Sequence, residues 1–466
     1  PVFPPSFDPY KKDYNIILQD LQSTIPMLPP IYQRNVASPF IQFLRNFSRT
    51  RYLDVFENPN VGDNLFYNAV ISEVALAILL RKQKHEPLAS KAFQEVISDH
   101  FDSFIGQEIR VGNVTGRPIK PPEQGTLAPL VSWGKGEQGL YSMPIDYTRG
   151  VEIKAAVVNM PIGFAQEGLL GWATLGSVSN ILNADIGLLA ELSKIVLDTL
   201  LPQFGQQLAK YWTKCIDIAA SDALSVMNTG PAAGIGLVVT LRASNLLLEQ
   251  PKLKNIGPID GPQPVDIMRG FLVVEVIKLL NIDLSADWSL IIREEIFKDL
   301  EGSDDVYLRN NLGSVFKVKL KDAEESAKIV ARLIYKSNLK SFEGHALREI
   351  KDWSQSDQQL TDKVSNAIKD GLALPPVVSG PGFYASHIVA GATLEALKEG
   401  ANIAQIFNRM LKYLAQTNDQ NPTWRNQTLV LSTPRRYFAS RVIEELSDRE
   451  RHEARALGDI VDSRNY

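Results

Sequence analysis

Cysteine is almost missing from this sequence. Cys215 is the only one in 466 residues, so no internal disulfide forms. That excludes a small secreted fold held by disulfides, although secretion itself stays open. An excess of charge of one sign is missing too. The 49 Lys and Arg residues face 53 Asp and Glu, a net charge of −4, and no global basic field exists to attract nucleic acid. No apolar run reaches the ~18–20 residues that span a bilayer. The richest run, 271–282, is interrupted by Glu275 and Lys278 and reads as a core helix. Histidine is scarce: His85, His100, His345, His387 and His452 are all there are. No His-Glu-x-x-His pair occurs, so no familiar catalytic metal receives a complete set of ligands. The start, Pro1-Val2-Phe3-Pro4-Pro5, has neither Met nor an apolar leader run, which is compatible with processing or truncation upstream.

What is present is ordinary globular composition, 44% hydrophobic and 22% charged. At roughly 100–200 residues per domain the length favours two to four domains. The fold class expected is mainly α with an α+β N-terminal part. Changes of pattern divide it into an N-terminal α+β domain (1–160), a helical domain (161–340) and a C-terminal helical domain (341–466).

Ala69, Val70, Val74, Ala75, Ala77, Ile78 and Leu79 make one broad apolar face and predict a helix over 66–83. A second is predicted over 88–97. Partial alternation and β-branched residues predict strands at 108–115, 151–158 and 314–320. The Pro/Gly-rich stretch 118–139 reads as a long loop. From 166 onward helices are predicted over 166–177, 186–200, 206–227, 266–280, 287–300, 323–336, 344–354, 359–369, 387–398, 403–415 and 437–456. Proline punctuates the first 35 residues, which are expected to wrap over the surface or another domain. The Gly/Pro cluster at 256–264 reads as a linker or long loop. The first 160 residues are expected to carry most of the strand.

Three segments carry candidate chemistry. Residues 168–189 (GLLGWATLGSVSNILNADIGLL) begin as an apolar helix, turn small and polar at Gly176-Ser177-Val178-Ser179-Asn180, then resume. A cap between two helices accounts for that pattern on its own. Residues 211–228 (YWTKCIDIAASDALSVMN) put Asp222 on a helix of Ala, Ile and Leu, on the face of Ile218. Burying a carboxylate there is costly without a partner; a solvent-facing Asp222 is the plain alternative. Residues 380–398 (GPGFYASHIVAGATLEALK) lead a Gly/Pro loop into His387 at a helix start. A helix N-terminus disfavours imidazolium and leaves a neutral donor; a satisfied structural histidine is the plain alternative. The other four histidines sit in more polar settings and are expected to be exposed. The glycine-rich 230–236 lacks the Lys-Ser/Thr of a P-loop and reads as a helix end that permits close packing. Thr433-Pro434-Arg435-Arg436-Tyr437 is a local basic spot, and 444–453 a mixed-charge helix face.

Taken in order, these segments resemble the thermolysin-like zinc peptidases, the gluzincins. Asp217-Ile218-Ala219-Ala220-Ser221-Asp222 is similar to that family's second motif, with Ile218 where the ligand Glu belongs and Asp222 at the Asp that supports a metal-binding His. Ser386-His387-Ile388-Val389-Ala390-Gly391 is similar to the third, with the oxyanion-stabilising His kept at His387. The first motif would fall on 175–185, where Gly176/Ser177/Asn180 or Ser177/Val178/Ile181 replace His/Glu/His. Ser, Val, Ile and Gly are not zinc ligands, and no Glu remains as general base, so the resemblance implies a scaffold that has lost its chemistry.

The leading expectation is therefore a catalytically inactive metallopeptidase-like protein, soluble and cytoplasmic, with no metal and no cofactor. It would bind a peptide, a small anion or a protein partner. Asp222 and His387 are expected in one cleft with Ser177, Asn180 and Tyr384 as binding residues. Ser177, Ser179 or Asn180 would donate to the Asp222 carboxylate. Two alternatives stand beside it: an active hydrolase of another class using Asp222 and His387, and a purely structural or interaction protein.

Overall fold

The computed structural model describes residues 14–82, 86–115, 127–134, 141–143, 148–153, 155–166, 168–180, 187–246, 251–374, 385–421 and 423–424, with the side chains of 102–115, 141–143 and 179 outside that description. The chain is mainly α. Helices α1 (Tyr14–Thr24), α2 (Ser38–Phe47), α3 (Arg49–Glu57) and α4 (Asn64–Leu79) open it, followed by α5 (Pro87–Thr115). Three strands follow: β1 (Leu130–Gly134), β2 (Tyr141–Met143) and β3 (Val157–Pro161). They form one sheet in the order β1-β3-β2, with β1 parallel and β2 antiparallel to β3.

This sheet is a partition between two apolar cores. Leu130 and Val157 join the N-terminal core of Ile17, Leu21, Tyr32, Phe40 and Ile78. Their neighbours Val131 and Val158 join a larger core that runs from Leu80 to Leu414. Successive strand residues point to opposite faces, so one short sheet closes both cores at once. The larger core crosses positions 160 and 340 without interruption.

The second half builds α6 (Leu188–Lys214), α7 (Ile216–Thr229), α8 (Pro231–Leu246), β4 (Ile256–Pro258), α9 (Asp266–Leu279), α10 (Ser285–Asp299), β5 (Asp305–Arg309), β6 (Val315–Lys319), α11 (Leu320–Lys336), α12 (Gln355–Asp370), α13 (Ala385–Ala396) and α14 (Ile403–Gln420). Helix α11 shows why the periodic segments were readable. Ala323, Ala327, Val330, Ala331 and Ile334 are buried while the Glu and Lys between them face water. Helix α12 opens on a capping box of Ser354 and Asp357 and ends at Gly371 in a left-handed conformation.

Several expectations need correction. Residues 108–115 are the last turns of α5, not a strand. Six apolar residues of that helix, Ala89 to Phe101, are already packed in the core, and a nucleated helix propagates more readily than a short, weakly alternating stretch starts a strand. Residues 256–258 are not part of a linker but strand β4, paired parallel to β5. Strand content is the same in both halves among the described residues, not concentrated in the first 160. Within the described part of the proline-punctuated start, Ile17, Leu21, Leu28 and Tyr32 are core residues. The segment 206–227 is two helices, parted at Cys215, and α6 is itself broken at Gly205 (φ 77°, ψ 176°). Only Leu347–Ile350 of 344–354 is helical. The region 437–456 and the basic spot at 433–437 lie outside the described residues.

Candidate functional site

The segment Gly176–Asn180 packs against α7. It is a run of 3-10 turns over Ala173–Ser179, continuing the short helix Leu169–Trp172. Close approach is possible because residue 176 has no side chain: a Cβ there would stand 2.8 Å from Asn228 Cβ. Asn228 Nδ2 donates to the Gly176 carbonyl at 2.9 Å, and Ser225 Oγ to the Ala173 carbonyl at 3.3 Å. Asn180 Nδ2 donates to Asp217 Oδ1 at 2.5 Å and to Ser221 Oγ at 2.9 Å. The small polar residues of this segment therefore stitch it to one face of α7.

Asp222 sits on the neighbouring face of α7 and has a different partner from the one expected. Its carboxylate is gripped by Arg269 of α9, Nε to Oδ2 at 2.8 Å and Nη2 to Oδ1 at 2.7 Å. Both oxygens are taken by one guanidinium in the fork geometry that matches a carboxylate. The side chains are 6% and 18% exposed. The donors proposed from the sequence, Ser177 and Asn180, do not reach it: Asn180 is spent on Asp217 and Ser221, and Ser177 is half-buried. Ser179's side chain is outside the description. Sequence reasoning missed Arg269, yet the signal was there. A carboxylate buried on an apolar helix requires a counter-charge, and Arg269 is the lone cation in the apolar run around it, 265–274.

His387 is fully buried in the first turn of α13. Its Nε2 lies 2.9 Å from Asp357 Oδ1, while Asp357 Oδ2 accepts from the Ser354 N–H and hydroxyl, each at 2.7 Å. The ring is 5.2 Å from that of Trp353. Around this pair α5 contributes more buried polar groups. Asp99 Oδ2 accepts from the Ala385 N–H at 2.8 Å, which anchors the start of α13. Glu95 accepts from Asn418 and Asn421 at the end of α14. His100 is 1% exposed beside the equally buried Lys351. His345 is buried as well and meets Glu349 at 2.7 Å. The expectation that His100 and His345 are exposed is thus overturned. Polar neighbours in sequence do not keep a histidine in water when the fold packs around it: His100 sits on a stretch of α5 buried on every side, and His345 in a bridge to Leu339. His85 and His452 lie outside the described residues, as does Tyr384.

His100 makes a pH prediction. Burial, and then the Lys351 ammonium, push its pKa down to about 3 from an ordinary 6.5. Between those values the folded ring stays neutral while the unfolded one takes a proton. The unfolded state then binds more protons, so stability rises with pH across that window and is lost on acidification. One such group contributes a slope of up to about 1.4 kcal/mol per pH unit. Denaturant unfolding of His100→Asn from pH 3.5 to 6.5 should show a shallower pH dependence than the wild type. An unchanged slope would assign the acid sensitivity elsewhere.

Asp222 and His387 have no partner in common. Gly230, which ends α7, lies against Trp353, the residue beside His387. Asp222 is eight residues earlier, about 12 Å along the axis at 1.5 Å per residue. Each has its own fixed partner, Arg269 for one and Asp357 for the other. Among the described residues no group of three or more His, Cys, Asp or Glu side chains is placed to hold a metal ion. No helix among them is long and apolar enough to cross a membrane. No protein family, curated protein or solved structure matches this chain.

Proposed function

We propose that this protein acts by binding or assembly, on a scaffold related to the thermolysin-like peptidases that has lost hydrolytic chemistry. One observation carries the reading. The two residues best suited to catalysis are committed to internal partners and removed from solvent: Asp222 to the Arg269 fork, and His387 to Asp357, at 4% and 0% exposure. A general base must reach its substrate within hydrogen-bond distance or through one water. A carboxylate held by both oxygens, and a ring sealed between Trp353 and Asp357, are parts of a frame. The packing of 173–180 against α7 supports the family likeness, because the two segments that would carry metal ligands in those peptidases are neighbours in this fold. Gly176, Ser177, Val178 and Ile218 supply no zinc ligand in either alignment of the motif.

The test is biochemical. After dialysis in chelator-free buffer, elemental analysis should find well under one zinc per chain, and a panel of peptide and ester substrates should not be hydrolysed above background. Zinc-dependent proteolysis lost in Asp222→Ala would restore a metallopeptidase. Metal-independent hydrolysis lost in a folded His387→Ala variant would instead establish a hydrolase of another class.

A further inference from the structure

Arg81, at the C-terminal edge of α4, is a cation that no carboxylate among the described residues faces. Its Nε is shielded from solvent and has no hydrogen-bond acceptor. One Nη donates to the side-chain carbonyl of Gln94 on α5. The guanidinium carbon lies 4.7 Å from the centre of the Trp424 ring, and Trp424 in turn packs on Tyr32 at 4.8 Å. Among the described residues no carboxylate pairs with it. Glu95, one residue along α5, is taken by Asn418 and Asn421. The groups around Arg81 are themselves satisfied. Gln94 Nε2 donates to Ser98 and to the Pro129 carbonyl, the Trp424 indole N–H donates to Ser98, and the Tyr32 hydroxyl to the Ala128 carbonyl. Burial lowers the Arg81 pKa to about 10, opposed only by Tyr32.

This arrangement holds a guanidinium in place without neutralising it. Removing a charge from water is expensive unless a partner of opposite sign compensates. A cation–π contact of this kind returns only part of that cost. The residue as a whole is partly exposed, and of its unpartnered nitrogens only Nε is shielded, so the second Nη is the donor left for a ligand. From these observations we infer that Arg81 is the anchor of a binding site for a small oxyanion, a carboxylate or a phosphate group, seated at the junction of the N-terminal core with α5 and Trp424. The planar fork of arginine fits those two chemistries with paired hydrogen bonds, and the Trp424 face together with Gln94 fixes its orientation. This site is separate from the His387 region and does not depend on the reading of it.

The experiment uses the full chain and two probes, inorganic phosphate and acetate, titrated calorimetrically in low-salt buffer free of either. The wild type should bind at least one of them, and the tighter of the two identifies the ligand chemistry. Arg81→Met should weaken that binding about tenfold or more, the scale of a charge-assisted hydrogen bond. Arg81→Lys, which keeps the charge but loses the fork, should fall between. Without anion, Arg81→Met should melt at the same temperature as the wild type or above it, because an uncompensated charge has been replaced by an apolar side chain. Absence of binding to the wild type up to tens of millimolar overturns the site. So does equal affinity in Arg81→Met, which places the anion elsewhere. A lower melting temperature for Arg81→Met in anion-free buffer, with no rise of the wild type's on adding anion, makes the arginine a structural cover for Trp424.

Discussion

Asp222→Ala is expected to destabilise the fold by about 3 kcal/mol, the lower end of the range for breaking a buried ion pair. Arg269 would lose the two hydrogen bonds at 2.7 and 2.8 Å that justify its place in α9. Its side chain keeps 18% exposure, so water recovers part of the loss, which sets the figure at the low end. The sharper result concerns the pair. Replacing both residues, Asp222→Leu with Arg269→Met, should recover most of the stability, since apolar groups of similar volume often match a buried ion pair. Denaturant unfolding of the two single variants and the double variant gives the coupling directly. A loss below about 1 kcal/mol for Asp222→Ala, within the range of an exposed pair, would mean that the fork contributes no more than a surface contact.

Gly230→Ala is expected to cost about 3 kcal/mol or more, by two separate routes. The backbone there has φ 66° and ψ −155°, a region that residues with a Cβ occupy only under strain of order 1–3 kcal/mol. The added methyl would also stand 2.4 Å from Trp353 Nε1 and 2.6 Å from Cε2. Trp353 is 1% exposed and packed on His387, so it has little room to yield, and overpacking typically adds about 1–3 kcal/mol. Gly205 separates the two contributions. It has φ 77° and ψ 176° but nothing within 4 Å of a built Cβ. Gly205→Ala should therefore show the backbone strain alone, at about 1–3 kcal/mol. If the two variants lose equal stability in urea, the Trp353 contact is not the constraint described. The near-ultraviolet signal of the tryptophans should change in Gly230→Ala and stay as it is in Gly205→Ala.

The elements that the sequence disclosed share one property. Helices α11, α12 and α14 each carry an apolar stripe at helical spacing, and residues such as Val330 and Ile334 sit where that stripe places them; α4 and α9 were legible instead as largely apolar runs of helical length. Strand β6 was legible for a related reason, because alternation over 315–319 is a local pattern. Errors fell where pattern was short or neighbours decided. The end of α5 could be read as strand until the packed turns before it are known. Strand β4 exists because β5, nearly fifty residues later, offers it a partner, and no feature of Ile256–Pro258 announces that pairing.

The same division runs through the site. Local sequence was enough to mark Asp222 as a carboxylate that needed a partner and His387 as a histidine at the start of an apolar helix, because burial cost and helix position follow from residue type and spacing. It also determined that a single cysteine forms no internal disulfide and that positive and negative charge are nearly balanced. Which partners those residues took was decided only by tertiary structure. Arg269 reached Asp222 across 47 positions and Asp357 reached His387 across 30. The N-terminal sheet became a wall between two cores, and Arg81 was set against Trp424 more than 300 residues away. Those outcomes depend on how helices stack, and a helix face records that it will be buried without recording what it will be buried against.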